Sequence, residues 1–215
     1  MEMEFEKVDV LDISKWFMNR HEDIASGSFN GNVKLQKLLY YTQVMSIAVT
    51  GEGIFTNNIE AWKHGPVIAE AFRFYSHDFD KIKNRKININ KADEKLLKVI
   101  NSLFGFKTAK ELENISHKEK PWLELKDEVD KRSNPIITKE KIKNYYKNMK
   151  NIFETFSDFD FDNEKAEYIN SNVFVYNKKD LELTDDDRMI LYDIAEQVDN
   201  ESFYVYKEDE KLVVY

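Results

Sequence analysis

Histidine side chains offer this sequence its main chemistry, because the 215 residues include four histidines and no cysteine. His64 and His117 have similar surroundings, since each lies close to a proline and a tryptophan. If the fold brings the two histidines together, their rings have the donors and acceptors that general acid–base chemistry needs. The simpler interpretation is a turn that packs Trp62 and directs His64 to a backbone carbonyl.

The spacing of the remaining residues does not favour a metal or cofactor site. No His-x-x-x-His or Glu-x-x-His pattern occurs, so a third metal ligand would have to come from elsewhere in the chain. The six glycines are scattered through turns and form neither a phosphate-binding loop nor a nucleophile elbow. We therefore predict no catalytic residue, no cofactor, no metal ion and no enzymatic activity.

The dipeptide Gly65-Pro66 is expected to begin a helix that runs to about Ser76, because proline fits the first helical position. The free N–H groups at such a helix start attract anions. Residues 54–62, which precede it, are expected to be extended or to form a hairpin with its turn at Asn57-Asn58. Trp62 would then be a large apolar anchor beside the helix start.

The apolar residues between positions 33 and 49 recur at helical spacing and cover most of the helix circumference. Such a helix is typically the buried centre of a bundle. Leu35, Leu38 and Leu39 are the expected core positions. The same segment contains residues with hydrogen-bonding side chains, namely Gln36, Lys37, Tyr40, Tyr41 and Gln43. Two interpretations of these polar groups stay open: they pair inside the bundle, or they contact a partner.

Capping residues and apolar periodicity predict further helices on both sides of this segment. They are expected at residues 9–24, 91–104, 108–116, 121–134 and 138–156, with caps at Asp9, Thr108 and Thr138. Residues 81–90 form a polar connection for which a short edge strand is one option. The first 156 residues are therefore predicted to form a helical domain.

The composition changes near residue 157, where the pattern turns from helical to mixed. A strand at 173–176, a helix at 184–198 and a hairpin joining 203–206 to 212–215 are expected there. Residues 1–150 carry 26 Lys and Arg against 22 Asp and Glu, whereas residues 151–215 carry 6 against 18. The predicted architecture is mainly α: a helical domain at 1–156 with a short β-hairpin, followed by a small acidic α+β extension at 157–215.

Three segments of the helical part, taken in order, carry a family resemblance. They are Lys34-Leu-Gln-Lys-Leu-Leu-Tyr-Tyr-Thr-Gln43, Ile59-Glu-Ala-Trp-Lys-His-Gly-Pro-Val67 and Leu112-Glu-Asn-Ile-Ser-His-Lys-Glu-Lys-Pro-Trp122. Together they resemble the Panacea domain, a SocA-like and often phage-associated antitoxin family. The resemblance covers roughly residues 8–150 and leaves the extension unmatched.

The resemblance implies a mostly helical fold and an antitoxin that binds the cognate toxin protein encoded beside it. One family member resembles a proteolytic adaptor that delivers its toxin to a protease, so a protease is a second candidate partner. The family-motif residues are the candidates for contacting a partner: Leu35, Gln36, Lys37, Tyr40, Tyr41, Gln43, Trp62, His64, Gly65, Pro66, His117, Pro121 and Trp122.

Functions other than toxin neutralisation stay open at this point. One is a proteolytic adaptor or phage-encoded regulator that binds a host protein, and another is an enzyme that uses His64 and His117. The acidic extension also has two interpretations. An excess of one charge often serves only solubility. Alternatively, the extension covers the basic active site of a toxin, with Phe and Tyr side chains as anchors.

Nucleic acid and membranes are not expected as direct partners. Lys81-Ile-Lys-Asn-Arg-Lys86 is a short basic stretch, too small to form the cationic face of a DNA-binding protein. The N-terminal segment is acidic, and no apolar run approaches the ~18 residues that span a bilayer. A cytoplasmic protein is therefore expected.

Overall fold

A computed structural model describes residues 7–131, 133–157, 161–209 and 211–215 of the chain. Helices predominate among these residues, and the strands form two small sheets. The mainly α class is thereby confirmed. The buried residues of the largest apolar core extend from Val8 to Phe153, and a smaller core lies in the C-terminal sheet.

The longest helix, α3 at Phe29–Thr50, lies at the centre of the helical part. Ser28 caps its start by accepting a hydrogen bond from the backbone N–H of Gly31, and Gly51 ends it with a left-handed φ of 81°. Every residue from Gly31 to Ile47 is buried, which confirms the predicted burial on all sides. Because this helix has no exposed face along that length, other elements must surround it.

The remaining helices before residue 157 pack around α3 or against one another. They are α1 at Val10–Met18, α2 at Glu22–Ala25, α4 at Ala69–His77, α5 at Phe79–Lys83, α6 at Lys91–Ile100, α7 at Ala109–Lys118, α8 at Lys120–Leu123, α9 at Lys126–Asp130, α10 at Lys139–Tyr145 and α11 at Met149–Phe156. A π-helical turn, Asn101–Gly105, continues α6. The predicted caps Asp9, Thr108 and Thr138 are confirmed by their side-chain hydrogen bonds.

Several predicted helices are interrupted in the structure. The helix expected at 9–24 divides into α1 and α2, and those expected at 121–134 and 138–156 divide into α8 with α9 and α10 with α11. The first interruption has a visible cause. His21 has extended backbone, and its buried ring pairs with Asn101 and Tyr168, which are distant in sequence. Local periodicity does not contain that information.

The optional strand within residues 81–90 is wrong, because α5 occupies Phe79–Lys83 and no regular element follows before α6. Arg85 explains the path of this connection. Its guanidinium forms ion pairs with the carboxylates of Asp9 and Asp12, which anchor the segment to the start of α1.

The short β-hairpin is present but lies later in the chain than predicted. Strand β1 at Glu60–Trp62 pairs antiparallel with β2 at Gly65–Val67, so the turn is at Lys63-His64 and the prediction of Asn57-Asn58 is wrong. Gly65-Pro66 therefore lies in a strand, and the prediction that a helix begins there is also wrong. Helix α4 begins three residues later.

Residues beyond 161 form a four-stranded sheet with one helix packed on it. The strands are β3 at Glu164–Ile169, β4 at Asn172–Asn177, β5 at Ser202–Glu208 and β6 at Lys211–Val214, in the order β3-β4-β5-β6. Strands β4 and β5 are parallel, and the connection between them contains helix α12 at Asp185–Ala195. The other two strand pairs are antiparallel.

The two faces of this sheet are covered differently. Leu191 and Ala195 of α12 pack in one core cluster with Phe174 and Val205 of the sheet. On the other face, Val173 forms a cluster with Phe106 of the helical part. The sheet is therefore a layer between α12 and the end of α6 with its π turn.

Polar contacts also join the sheet to the helices. The hydroxyl of Tyr168 lies 3.0 Å from Nδ1 of His21. Thr108 donates a hydrogen bond to the carbonyl oxygen of Asn200, at 2.9 Å, and Ser202 donates to a carboxylate oxygen of Glu111, at 2.6 Å. We call these contacts the junction.

Candidate functional site

The three segments that carry the resemblance meet where the β1–β2 hairpin lies between α3 and α7 with α8. Lys37 of α3 donates a hydrogen bond from Nζ to the carbonyl oxygen of Pro66, at 3.1 Å. Trp122 of α8 donates from Nε1 to the carbonyl oxygen of Trp62, at 2.9 Å. Side chains from two other elements thus hold the hairpin backbone.

Lys37, His64, Gly65, Glu113 and His117 are called the motif cluster below. Nδ1 of His64, in the hairpin turn, lies 2.9 Å from Oε1 of Glu113 on α7. His117 lies one helical turn beyond Glu113 and interacts with the same carboxylate and with His64. The structure thus brings the two histidines together, and it directs His64 to a carboxylate rather than to a backbone carbonyl.

Packing around Gly65 is tight at the centre of the motif cluster. Its φ of 95° lies in the region that favours glycine. A β-carbon added there would lie 2.7 Å from Cε of Lys37 and 2.8 Å from Oγ of Ser116. Both distances are shorter than van der Waals contact, so even one methyl group would displace its neighbours.

Lys37 is fully buried within the cluster. Burial lowers the pKa of Lys37 to about 7, while the negative charge of Glu113 acts in the opposite direction. The amine therefore exchanges its proton near neutral pH. Both the neutral and the charged form carry N–H groups, so either form can donate to the hairpin backbone.

The pKa values of His117 and Glu113 are also shifted. Burial lowers the pKa of His117, whose ring stacks on Trp122 with centroids 4.0 Å apart. Burial opposes ionisation of Glu113, but the hydrogen bond from His64 and the charge of Lys110 hold its pKa below the usual value. A neutral His117 beside an ionised Glu113 is the expected state at neutral pH.

The side chains of the two glutamines in the α3 segment point into the fold, where they bind backbone groups of neighbouring segments. Gln36 accepts a hydrogen bond from the backbone N–H of Ile68, at 2.9 Å, just where β2 ends. Gln43 accepts from the N–H of Phe55 and donates to its carbonyl oxygen, at 3.2 and 3.1 Å. Both side chains therefore supply backbone partners to segments that lack a regular ladder.

A second polar cluster lies about one helical turn further along α3, at Tyr40 and Tyr41. The hydroxyls of Tyr40 and Tyr146 are 3.0 Å apart, and Tyr41 donates to a carboxylate oxygen of Glu119 at 3.1 Å. Burial raises the pKa of Glu119 to about 7, although hydrogen bonds from Tyr146 and Tyr41 partly offset it. This carboxyl also takes up and releases its proton near neutral pH.

Most of the predicted partner-contacting residues are buried: Leu35, Gln36, Lys37, Tyr40, Tyr41, Gln43, Gly65, Pro66, Pro121 and Trp122. Trp62, His64 and His117 are partly exposed. The side chain of His64 is 43% exposed, and the exposed ring of Phe29 packs beside it. Among the predicted residues, the hairpin turn therefore offers the best access to a partner.

The ionisable groups of this region do not form a metal centre. Within the described ranges, no three His, Asp or Glu side chains are grouped as ligands for an ion. The arrangement instead connects three distant segments through hydrogen bonds and aromatic packing. These contacts hold the backbone of the hairpin in place. Lys37, which makes one of them, exchanges its proton near neutral pH.

A comparison with protein families identifies the segment that contains these contacts. Residues 35–123 match a family model described as "Antitoxin SocA-like, Panacea domain". This segment is similar to the Panacea domain, and residues 35–123 are called the Panacea domain below after that match. The match runs from within α3 to the end of α8, so it includes every member of the motif cluster. The chain matches no curated protein and no solved structure.

Several polar residues of the Panacea domain and its surroundings were not predicted. Glu113 was not singled out, although its spacing from His117 places both on one helical face. Glu119 likewise lies within a quoted segment. Tyr146 lies outside the matched residues, and nothing in the local sequence connects it to Tyr40. Only the fold reveals that pairing.

The family match also bears on the class of function. An antitoxin-like family of this kind is generally non-enzymatic and has a protein as its partner. Over the parts of the chain that the structure describes, no helix has the length and apolar character needed to cross a membrane.

Proposed function

We propose that this protein is an antitoxin that neutralises a co-encoded toxin by binding it directly. The observation that carries the proposal is the SocA-like Panacea domain at residues 35–123. Toxin and antitoxin would meet in the cytoplasm, without nucleic acid or membrane as a direct partner, and a phage-associated gene pair fits the family resemblance.

The geometry of the motif cluster supports a scaffold role for the Panacea domain. Lys37, Gln36 and Gln43 direct their polar atoms to backbone groups inside the fold. Because these side chains are already paired, they contribute order rather than partner contacts. Recognition of a particular toxin then needs other surfaces.

The acidic extension at 157–215 is the proposed source of toxin specificity. Its balance of charge is strongly negative, since residues 151–215 carry 18 Asp and Glu against 6 Lys and Arg. Large apolar side chains are also exposed there: Met189, Ile190, Tyr192, Tyr204, Tyr206 and Tyr215. Apolar anchors within a charged surface are a common composition for protein interfaces.

Co-expression tests the proposal directly. Each gene that flanks this one would be induced alone and together with it, and growth would be measured. One neighbour should arrest growth alone, co-expression should restore growth, and the two purified proteins should elute as one complex in gel filtration. Neighbours that are harmless alone would contradict the antitoxin assignment.

A second readout separates neutralisation by binding from delivery to a protease. The amount of the toxic neighbour would be followed by immunoblot after its synthesis is stopped. A stable level during restored growth supports direct blocking. Rapid loss of the neighbour that requires this protein would instead show that it is a proteolytic adaptor.

A further inference from the structure

The helix α12 has a second apolar face that no residue of the described ranges covers. Its inner face, with Leu191 and Ala195, packs on the sheet. On its outer side, Met189, Ile190 and Tyr192 are 66%, 46% and 56% exposed. Three large apolar residues within four positions are not needed for a soluble helix, and exposed apolar groups of this kind mark contact sites.

Acidic side chains surround this apolar face. Asp185 and Asp186 lie one turn before Met189 and are exposed, and the exposed Asp193 and Glu196 lie near the other end of the helix. Arg188 is the basic residue of α12, and it pairs with Asp185 and Glu167. The face therefore presents an apolar centre with a negative border.

The positions of the last two acids show that helix stability does not require them. Acids near a helix start interact favourably with the helix dipole, which accounts for Asp185 and Asp186. Near a helix end the same charge is unfavourable. Yet Asp193 lies in the last turn, Glu196 is the C-cap residue, and this turn contains no basic residue. The negative charges of Asp193 and Glu196 therefore destabilise the C-terminal end of α12.

We propose that the outer face of α12, centred on Met189 and Ile190, is the surface that docks onto the toxin, and that it fits an apolar groove bordered by lysine and arginine. This inference rests on the proposed antitoxin function. Amphipathic helices commonly bind by placing such a face in a groove. Charge complementarity explains why acids remain at the end of a helix that they destabilise, since they attract a basic partner.

Two double variants test the two parts of the face, with the toxic neighbour as the purified probe. Asp193→Lys with Glu196→Lys should slow association on the order of tenfold or more at low salt, because a steering charge is reversed. The same variant should unfold at an equal or higher temperature, because its charges now suit the helix end. A merely structural role for these acids would give the opposite change in stability.

The second variant, Met189→Glu with Ile190→Glu, should speed dissociation by a factor on the order of 100, because apolar anchors at the centre of an interface mainly govern the dissociation rate. The matched control for it is Ile136→Glu, at a comparably exposed site of the helical part. The matched control for the charge reversal is Asp127→Lys with Glu128→Lys on α9, which changes the net charge by the same amount. Both controls should bind like the wild type.

The outcomes separate this inference from the proposed function. If the wild-type protein neutralises its neighbour and both α12 variants bind it as tightly as the controls do, the docking face is wrong and the antitoxin function stands. If no neighbour is toxic, both fail together. Sedimentation of the wild-type protein alone as a dimer that the Met189→Glu, Ile190→Glu variant makes monomeric would assign the face to self-association and overturn the inference.

Discussion

Helix α3 in the Panacea domain and helix α12 in the extension both combine apolar and polar residues but use them differently. In α3, polar groups such as Lys37 and Gln36 are buried and bind the backbone of neighbouring segments. In α12, acids and large apolar side chains together face outward. The comparison teaches that the polar groups of α3 order the backbone of neighbouring segments, whereas those of α12 remain on the surface.

The largest expected effect is at the hairpin of the Panacea domain. Gly65→Ala should lower the free energy of unfolding by about 3–4 kcal/mol, because it adds backbone strain at a φ of 95° and forces a methyl group against Lys37 and Ser116. Chemical denaturation would measure the change.

Gly51→Ala is the matched control, since Gly51 also has a positive φ, 81°, but nothing lies within 4 Å of the added carbon. It should lose only the backbone contribution, about 1–2 kcal/mol. Equal losses in the two variants would show that packing at the motif cluster is not tight.

Lys37 and Glu119 should give the Panacea domain a stability minimum near neutral pH. Between pH 4.5 and about 7 the folded protein keeps a proton on Glu119 that the unfolded chain has released, so stability falls as pH rises. Between about pH 7 and 10.5 the unfolded chain keeps a proton on Lys37 that the folded protein has released, so stability rises again. The fall on the acidic side is on the order of 3 kcal/mol.

Single variants should remove the two sides of this profile separately. Glu119→Gln should flatten the acidic side and Lys37→Met the alkaline side, as measured by urea unfolding across the pH range. Glu128→Gln, at an exposed site, serves as the control and should change neither side. An unaltered acidic side in Glu119→Gln would refute the buried-carboxyl explanation.

The junction should show a smaller effect that links the two regions. Tyr168→Phe removes the hydroxyl next to Nδ1 of the buried His21, which should cost about 1–2 kcal/mol. Hydrogen exchange should become faster in β3 and near the start of α2, with α3 unchanged. Faster exchange throughout α3 would mean that the regions unfold as one unit.

The smallest expected effect lies within the extension. Thr184 caps α12 and forms a capping box with Asp187, so Thr184→Ala should cost about 1 kcal/mol. Hydrogen exchange should speed up in α12 and remain unchanged in the Panacea domain. An effect spread evenly over both regions would contradict the view that α12 is a local, separately adjustable element.

The sequence predicted the elements whose signals are local. The burial of α3 follows from its apolar circumference, and Thr108 and Thr138 were recognised from cap spacing. Strand β3 was missed because Glu164-Lys-Ala-Glu-Tyr-Ile169 has no clear alternation and depends on its pairing with β4. Gly65-Pro66 was misassigned because its strand conformation depends on contacts from α3 and α8, far away in sequence.

The candidate site also has features that the sequence predicts and features that depend on distant contacts. Its residue types and three segments could be recognised from the sequence, and the structure brought His64 and His117 to one carboxylate. What the sequence did not reveal is that Lys37 and Gln36 point inward, because the direction of a polar side chain on a buried helix depends on the neighbours that it meets. The outward face of α12 was equally invisible before the sheet beneath it was known.

The junction sets a rule for exchanging the extension between related proteins. Tyr168, Ser202 and the carbonyl of Asn200 meet His21, Glu111 and Thr108 on the other side of the boundary. A foreign extension joined at residue 157 would lose these partners unless it brought equivalents. A functional chimera must therefore contain both sides of the junction, so these contacts, rather than helix α12, limit how the extension can be exchanged.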